Sequence, residues 1–250
     1  MVKIVISGCC GKMGRVVNEV ISARNDCETI AGIDKIPVKD FGFTVYDNPA
    51  KLENKPDVIV DFSHPSALDG LLDYAKTNGC ALVLASTGYD QDQIAKIKSA
   101  SSSIPIFFTA NMSLGINLLS ELAKKAVQVL GGQYDIEIVE RHHNQKIDAP
   151  SGTALMLADA INEASDNAYN YVYDRHSVRQ KRDGSEIGIH SIRGGTIVGD
   201  HDIVFAGRDE VITLSHSAAS KEVFAVGAVN AAVFMAEMPA GLYSMADLIK

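Results

Sequence analysis

The first twenty-two residues restrict the fold of this chain more than any other stretch. Residues 2–7 are an apolar run rich in β-branched side chains. Gly8-Cys9-Cys10-Gly11-Lys12-Met13-Gly14 follows at once, and helical periodicity continues through Val16, Val17, Val20 and Ile21. Strand, glycine turn and helix, in that order, is the setting in which a glycine-rich loop cradles a pyrophosphate. Gly8 permits the tight turn, Gly11 the close approach of phosphate, and Gly14 the packing of helix on strand. The helix N-terminus adds amide donors and the positive end of its dipole. A second strand over 29–33 ends at Asp34, twenty residues past Gly14, where an acidic residue binds an adenosine ribose diol. Lys35 beside it suits a 2′-phosphate, so NADH and NADPH both stay open. The spacing is GxxGxxG rather than the commoner GxGxxG, and it gains its weight from the two flanks and Asp34 together.

Alternation of strand and helix continues: a buried-strand run at 57–62, a helix from about 66 to 78 stopped by Gly79, and a strand at 80–85. A capping box of Asp90 and Gln93 opens the next helix, and another strand follows at 104–109. Ligands of such sheets bind beyond the carboxyl ends of the strands. Three strand ends therefore become candidates for the nicotinamide side: Phe62-Ser63-His64, Ser86-Thr87-Gly88 and Ala110-Asn111-Met112. Each one singly also suits a helix-capping role.

An amphipathic helix over 115–130 stops at Gly131-Gly132. The next stretch, EIVERHHNQKIDAPSGTA at 137–154, holds two histidines, a lysine and three carboxylates. Ile136 and Ile138 alternate with Asp135 and Glu137 as in a half-buried strand, and Ser151 and Thr153 stand where a helix begins. The titratable groups are expected on a loop between the two, placed to hold and protonate an anion; a solvated polar loop fits the same residues. His142 and His143, as neighbours on a strand, would point to opposite faces, and no third ligand stands at zinc-like spacing, so no catalytic metal is expected. Residues 164–174 read as irregular and 177–185 as a polar, mobile segment. Strands return at 187–192, 202–206 and 211–217, the last two joined by a Gly207-Arg208-Asp209-Glu210 hairpin. A sheet served by so few helices is a separate α+β unit whose open face or edge invites self-association. The closing helix, about 222–238, is apolar nearly all round and is expected to pack back near the first domain.

A net charge of −8 argues against nucleic acid or an anionic membrane as the main partner. The longest apolar stretch, 223–236, is interrupted by Gly227 and Asn230 and is too short to span a bilayer. Cys9, Cys10, Cys27 and Cys80 lack metal-type spacing and suit free thiols in a reducing cytosol. Met1 leads directly into a strand, so no secretory leader is expected and the location is read as cytoplasmic.

The 137–154 block closely resembles the signature of the 4-hydroxy-tetrahydrodipicolinate reductases, the NAD(P)H enzymes of the diaminopimelate route to lysine (older name dihydrodipicolinate reductases). The resemblance runs almost end to end, through GCCGKMG, DFSHP at 61–65, STG at 86–88, ANMSLGIN at 110–117 and IHSIRGGTIVGDH at 189–201. Ser86 replaces a threonine common in relatives, Lys35 stands where some carry arginine, and 166–185 matches loosely, carrying over no more than a hinge or lid. The resemblance implies an α/β protein: a Rossmann-like parallel sheet domain binding dinucleotide (residues 1–112 plus 218–250) and an α+β substrate-binding and tetramerisation domain with an open mixed sheet (113–217). By the same resemblance His142 would be proton donor or acceptor and Lys146 proton donor, while His143, Gly152 and Thr153, with Ser151 alongside, would bind a small dicarboxylate. Cofactor would lie on Gly8, Cys9, Cys10, Gly11, Lys12, Met13, Asp34, Lys35 and the three strand ends. The implied assembly is a homotetramer.

The chemistry calls for such parts. Hydride added to an electron-poor cyclic imine leaves electron density that a general acid must quench, and two carboxylates need fixed donors. Positive charge at His143 would lower the pKa of Lys146. Arg193 is a further carboxylate candidate or equally a hinge ion pair, and Glu140 and Asp148 are expected to orient the cations. Two rival readings are weighed against this one. A semialdehyde dehydrogenase would need a nucleophilic cysteine near the substrate loop, yet no cysteine lies beyond Cys80. A non-catalytic NAD(P) sensor should have lost His142 or Lys146.

Overall fold

The computed structural model describes residues 1–36 and 41–249. The chain runs β1 (Val2–Ser7), α1 (Lys12–Ser22), β2 (Cys27–Ile33), β3 (Val45–Tyr46), β4 (Val58–Asp61), α2 (Leu68–Asn78), β5 (Ala81–Leu84), α3 (Gln91–Ala100) and β6 (Pro105–Phe108). It continues through α4 (Leu114–Leu130), β7 (Asp135–His142), α5 (Gly152–Glu163), β8 (Asn170–Val172), β9 (Glu186–Arg193), β10 (Gly199–Ala206) and β11 (Val211–Ala218), and closes with α6 (Glu222–Met235), β12 (Gly241–Tyr243) and α7 (Met245–Leu248). Two compact units result, Met1–Leu114 with Glu222–Lys250, and Gly115–Lys221.

In the first unit seven parallel strands lie in the order β12-β6-β5-β4-β1-β2-β3. Strands covered on both faces read as continuous apolar runs, and alternate residues here serve two cores. Ile4, Ile6, Val58, Val60 and Val83 face α1 and α6, whereas Val5, Ile59, Leu82 and Ile106 face α2 and α3. Gly79, at φ 62°, ends α2 in the left-handed conformation, and the expected capping box opens α3. The two residues that interrupt the apolar run of α6 have packing reasons. A Cβ at Gly227 would stand 1.7 Å from the Met112 carbonyl oxygen, and Asn230 accepts from Arg24 at 2.6 Å. The helix ends at Met235 rather than 238, because the chain leaves it to reach β12 at the sheet edge beside β6.

The second unit is a mixed sheet of order β11-β10-β7-β9-β8. β10 runs antiparallel to β7 and β11, and β9 parallel to β7 and β8. Ile136, Ile138, Ile187, Ile189, Ile203 and Phe205 form its core with α4 and α5. Residues 164–174, expected to be irregular, contain β8, a strand too short to show a period. The 177–185 segment has no strand or helix, but its charge is partnered. Arg182 donates to Asp135, Glu137 and the carbonyls of Ile136 and Glu186, all but the last more than forty residues away in sequence. No described helix is long and apolar enough to cross a membrane.

Candidate active site

Gly8 turns the first loop at φ +80°, with a Cβ there falling 2.8 Å from the Phe62 carbonyl oxygen and from Ser63 Cα. A Cβ on Gly14 would meet the Gly8 carbonyl oxygen at 2.2 Å, so the first turn of α1 rests directly on the loop. Gly11 caps α1 with no side-chain hydrogen bond and no acidic residue in the first turn, which leaves the helix-start amides to an anion. Asp34 braces this cradle by accepting the Cys10 amide at 3.0 Å, and Lys35 reaches Ser66 Oγ at 3.1 Å. A cavity of about 450 Å³ opens among Gly8, Gly11, Asp34, Lys35, Phe62 and Ser63. A cradle that side chains would fill, beside a carboxylate on a cavity wall, fits a dinucleotide. Lys12 is exposed and Cys10 and Met13 half-buried. Cys9 is fully buried, its thiol lying over Gly32 and pushed up to about 12, chiefly by burial. The two thiols and Asp34 lie within 4.8 Å of one another, but that burial opposes the thiolate a metal would need.

The other strand-end candidates lie outside this cavity, at the ends of β5 and β6. Asp61, fully buried at the end of β4, accepts from Ser63 Oγ at 2.5 Å, Ser86 Oγ at 2.7 Å and Tyr89 at 3.3 Å. One carboxylate thus fixes two candidate serines on neighbouring strands. The sequence reading assigned it no role, although an acidic residue closing an apolar strand is the signal that would have found it. Thr87, Gly88 and Ala110 are exposed, and Asn111 caps the Ser113 amide at 2.8 Å. The Met112 side chain is buried in the apolar cluster with α6.

In the second unit β7 runs on to His142, so Glu140, Arg141 and His142 stand on a strand where a loop was expected. Pairing with β9 and β10 satisfies their backbone, and Glu140 and His142 extend the inward-facing row of Ile136 and Ile138. Fully buried Glu140 receives Arg193 Nη1 and Nη2, each at 2.7 Å, His142 Nδ1 at 2.6 Å and the Ser151 amide at 3.0 Å. Arg193 also donates to the carbonyls of Ile192 and Asp148. Both terminal nitrogens are therefore occupied inside the protein, and of the two roles open to Arg193 the geometry matches the ion pair. Ser151 caps α5, its Oγ accepting from the Ala154 amide at 3.1 Å, with no acidic residue in the first turn. Gly152 is exposed, Thr153 and His143 are half-buried, and Lys146 pairs with Asp148 at 2.8 Å.

Burial by itself would raise the pKa of Glu140. Hydrogen bonds from Arg193, His142, Ser191 and the Ser151 amide outweigh it and hold the carboxyl down at about 2. A permanent anion at the inner end of His142 fixes the ring through Nδ1 and turns Nε2 outward from that bond. Gly199 makes room for that ring, since a Cβ there would come within 3.0 Å of Nε2. His201 lies edge-to-face against it, with ring centroids 5.3 Å apart.

Comparison with known proteins covers the whole chain. The family models described as dihydrodipicolinate reductase, N-terminus and C-terminus, match residues 2–112 and 115–249. A 4-hydroxy-tetrahydrodipicolinate reductase from Clostridium botulinum (strain Eklund 17B / Type B) is 50% identical over 100% of this chain and 98% of its own length. One from Caldanaerobacter subterraneus subsp. tengcongensis is 48% identical, over 100% and 99%. Among solved structures, a dipicolinate-bound dihydrodipicolinate reductase from Paenisporosarcina sp. TG-14 superposes with a TM-score of 0.82 at 25% identity, covering 100% of both chains.

Proposed function

The chain belongs to the dihydrodipicolinate reductase family and performs its reaction, the NAD(P)H-dependent reduction of 4-hydroxy-tetrahydrodipicolinate to tetrahydrodipicolinate with loss of water; on that premise we propose that His142 and Lys146 handle the protons while His143 and the Ser151-Gly152-Thr153 turn hold the carboxylates. The observation that carries this division is Glu140, one buried anion that binds His142, Arg193 and the Ser151 amide together.

NADH or NADPH, when bound, supplies the hydride. The loop from Gly8 to Gly14 would hold the pyrophosphate and Asp34 the adenosine ribose, with Lys35 beside it for a 2′-phosphate. Hydride gain raises the electron density of the ring, and Lys146 delivers the proton that quenches it. His142, held through Nδ1, exchanges its proton through Nε2. The amides at the start of α5 meet a substrate carboxylate in the absence of any competing acid in that turn. A relative that binds dipicolinate, a planar dicarboxylate, supports a substrate of this class.

The test supplies synthase-generated substrate and follows NADH and NADPH consumption by absorbance. Consumption of either is expected, their ratio reports on Asp34 and Lys35, and no consumption with either overturns the reading. Gly199→Ala is expected to lower kcat on the order of tenfold by displacing the His142 ring, with the cofactor KM unchanged in steady-state assays. The enzyme works in the cytoplasm as a homotetramer that associates through the open face of the second-unit sheet, where Glu137, Val139 and Arg141 are half-buried. Light scattering should give four times the 26.8 kDa chain mass, and a monomeric mass would overturn the assembly.

A further inference from the structure

We propose that His201 is a positioning residue that aims the Ser151 hydroxyl at a substrate carboxylate, an inference that rests on the substrate reading above. His201 is 3% exposed and lies on β10 in register with Glu140. Its Nε2 is 3.1 Å from Ser151 Oγ, while its Nδ1 is buried with no hydrogen-bond partner among the described residues.

The protonation pattern follows from burial. Burial, reinforced by the neighbouring His142, pushes the His201 pKa down to about 4, so the ring is neutral and carries one N–H. A buried N–H without an acceptor is rarer and costlier than a buried acceptor without a donor, which puts the proton on Nε2, donating to Ser151 Oγ. A hydroxyl has two acceptor lone pairs and one proton. The Ala154 amide fills the other lone pair at 3.1 Å, and the Ser151 amide is itself held by Glu140 at 3.0 Å. The O–H is then the one valence left, directed away from both donors at a helix start that already favours an anion.

The test uses the full-length chain and two readouts, steady-state kinetics and calorimetric titration with dipicolinate. His201→Met removes the donor and nearly keeps the volume; His201→Gln places an amide N–H where Nε2 stands. Met is expected to raise the substrate KM and weaken dipicolinate about tenfold, with the cofactor KM nearly unchanged, and Gln to recover most of the loss. In a Ser151→Ala background the Met substitution should add nothing further. If the Met variant fails to fold, His201→Asn, whose amide is too short to reach Ser151, takes its place with the same expectation. Additive effects in the double variant, no rescue by Gln, or a wild type that turns over substrate yet ignores dipicolinate would each overturn the role of His201. A wild type that binds dipicolinate in a His201-dependent way but consumes no cofactor would support that role and sink the substrate reading instead. Failure of both readouts in the wild type overturns both.

Discussion

Lys146→Met is expected to lower kcat by about 10²- to 10⁴-fold, the range for removing a positioned general acid, while the protein stays folded and binds cofactor as before. Lys146 is 21% exposed at its side chain and its partner Asp148 59% exposed. An ion pair so open to water contributes at most about 1 kcal/mol, so the lost rate is not a folding defect. The carboxyl of Asp148, held below its ordinary value by Lys146, should return toward that value in the variant. Steady-state kcat with saturating substrate, alongside a cofactor titration by fluorescence, separates the two effects. A kcat equal to wild type removes Lys146 from the mechanism. His142→Gln should behave alike, since it removes the other proton-exchanging group and leaves the glycine loop untouched.

Glu140→Gln carries the largest expected cost in stability, on the order of 3 kcal/mol at neutral pH. Gln keeps the shape but not the charge, which strands Arg193 and His142 against a neutral amide. Breaking a buried pair from one side costs about 3–5 kcal/mol, and the 19% exposure of the Arg193 side chain favours the lower end. The pH dependence follows from the folded carboxyl titrating at about 2 against an ordinary 4.5. With the folded pKa depressed, the unfolded chain binds more protons as pH falls, so the stabilisation is complete above 4.5 and is lost as pH falls toward 2. His201 acts in the same direction in a higher window. Its folded pKa of about 4 against an ordinary 6.5 means the unfolded ring protonates first, and stability declines as pH drops from 6.5 to 4. Urea unfolding across this range should show wild type losing stability in both windows and Glu140→Gln losing less than wild type in the lower one, where Glu137, Asp148 and Asp202, also held below their ordinary values, still contribute. An unchanged lower window in the variant would count against Glu140 as a contributor to it.

Local signals were read correctly where a few neighbouring residues decide the outcome. The Gly8 and Gly14 contacts, the Gly79 cap, the Asp90–Gln93 box and the Ser151 cap each depend on backbone geometry within a turn or two. Three-residue strands such as β8 and β12 went unread because they are too short to display a period and exist only through their neighbours' hydrogen bonds. The placement of Glu140, Arg141 and His142 on a loop failed for a related reason. Their polarity argued against a strand, and what offsets it, chiefly Arg193, lies fifty-three residues further along the chain from Glu140.

By itself the sequence determined an alternation of strand and helix opening on a glycine-rich loop, a second sheet served by few helices, and the short block in which the charged residues gather. Those follow from hydrophobic period, caps and glycine positions, which act over short separations. Tertiary structure alone decided that Arg193 locks Glu140, that Asp61 ties Ser63 to Ser86, and that Gly199 and His201 enclose His142. Such contacts are set by strand order and register, which bring distant residues together without leaving a local pattern in either of them.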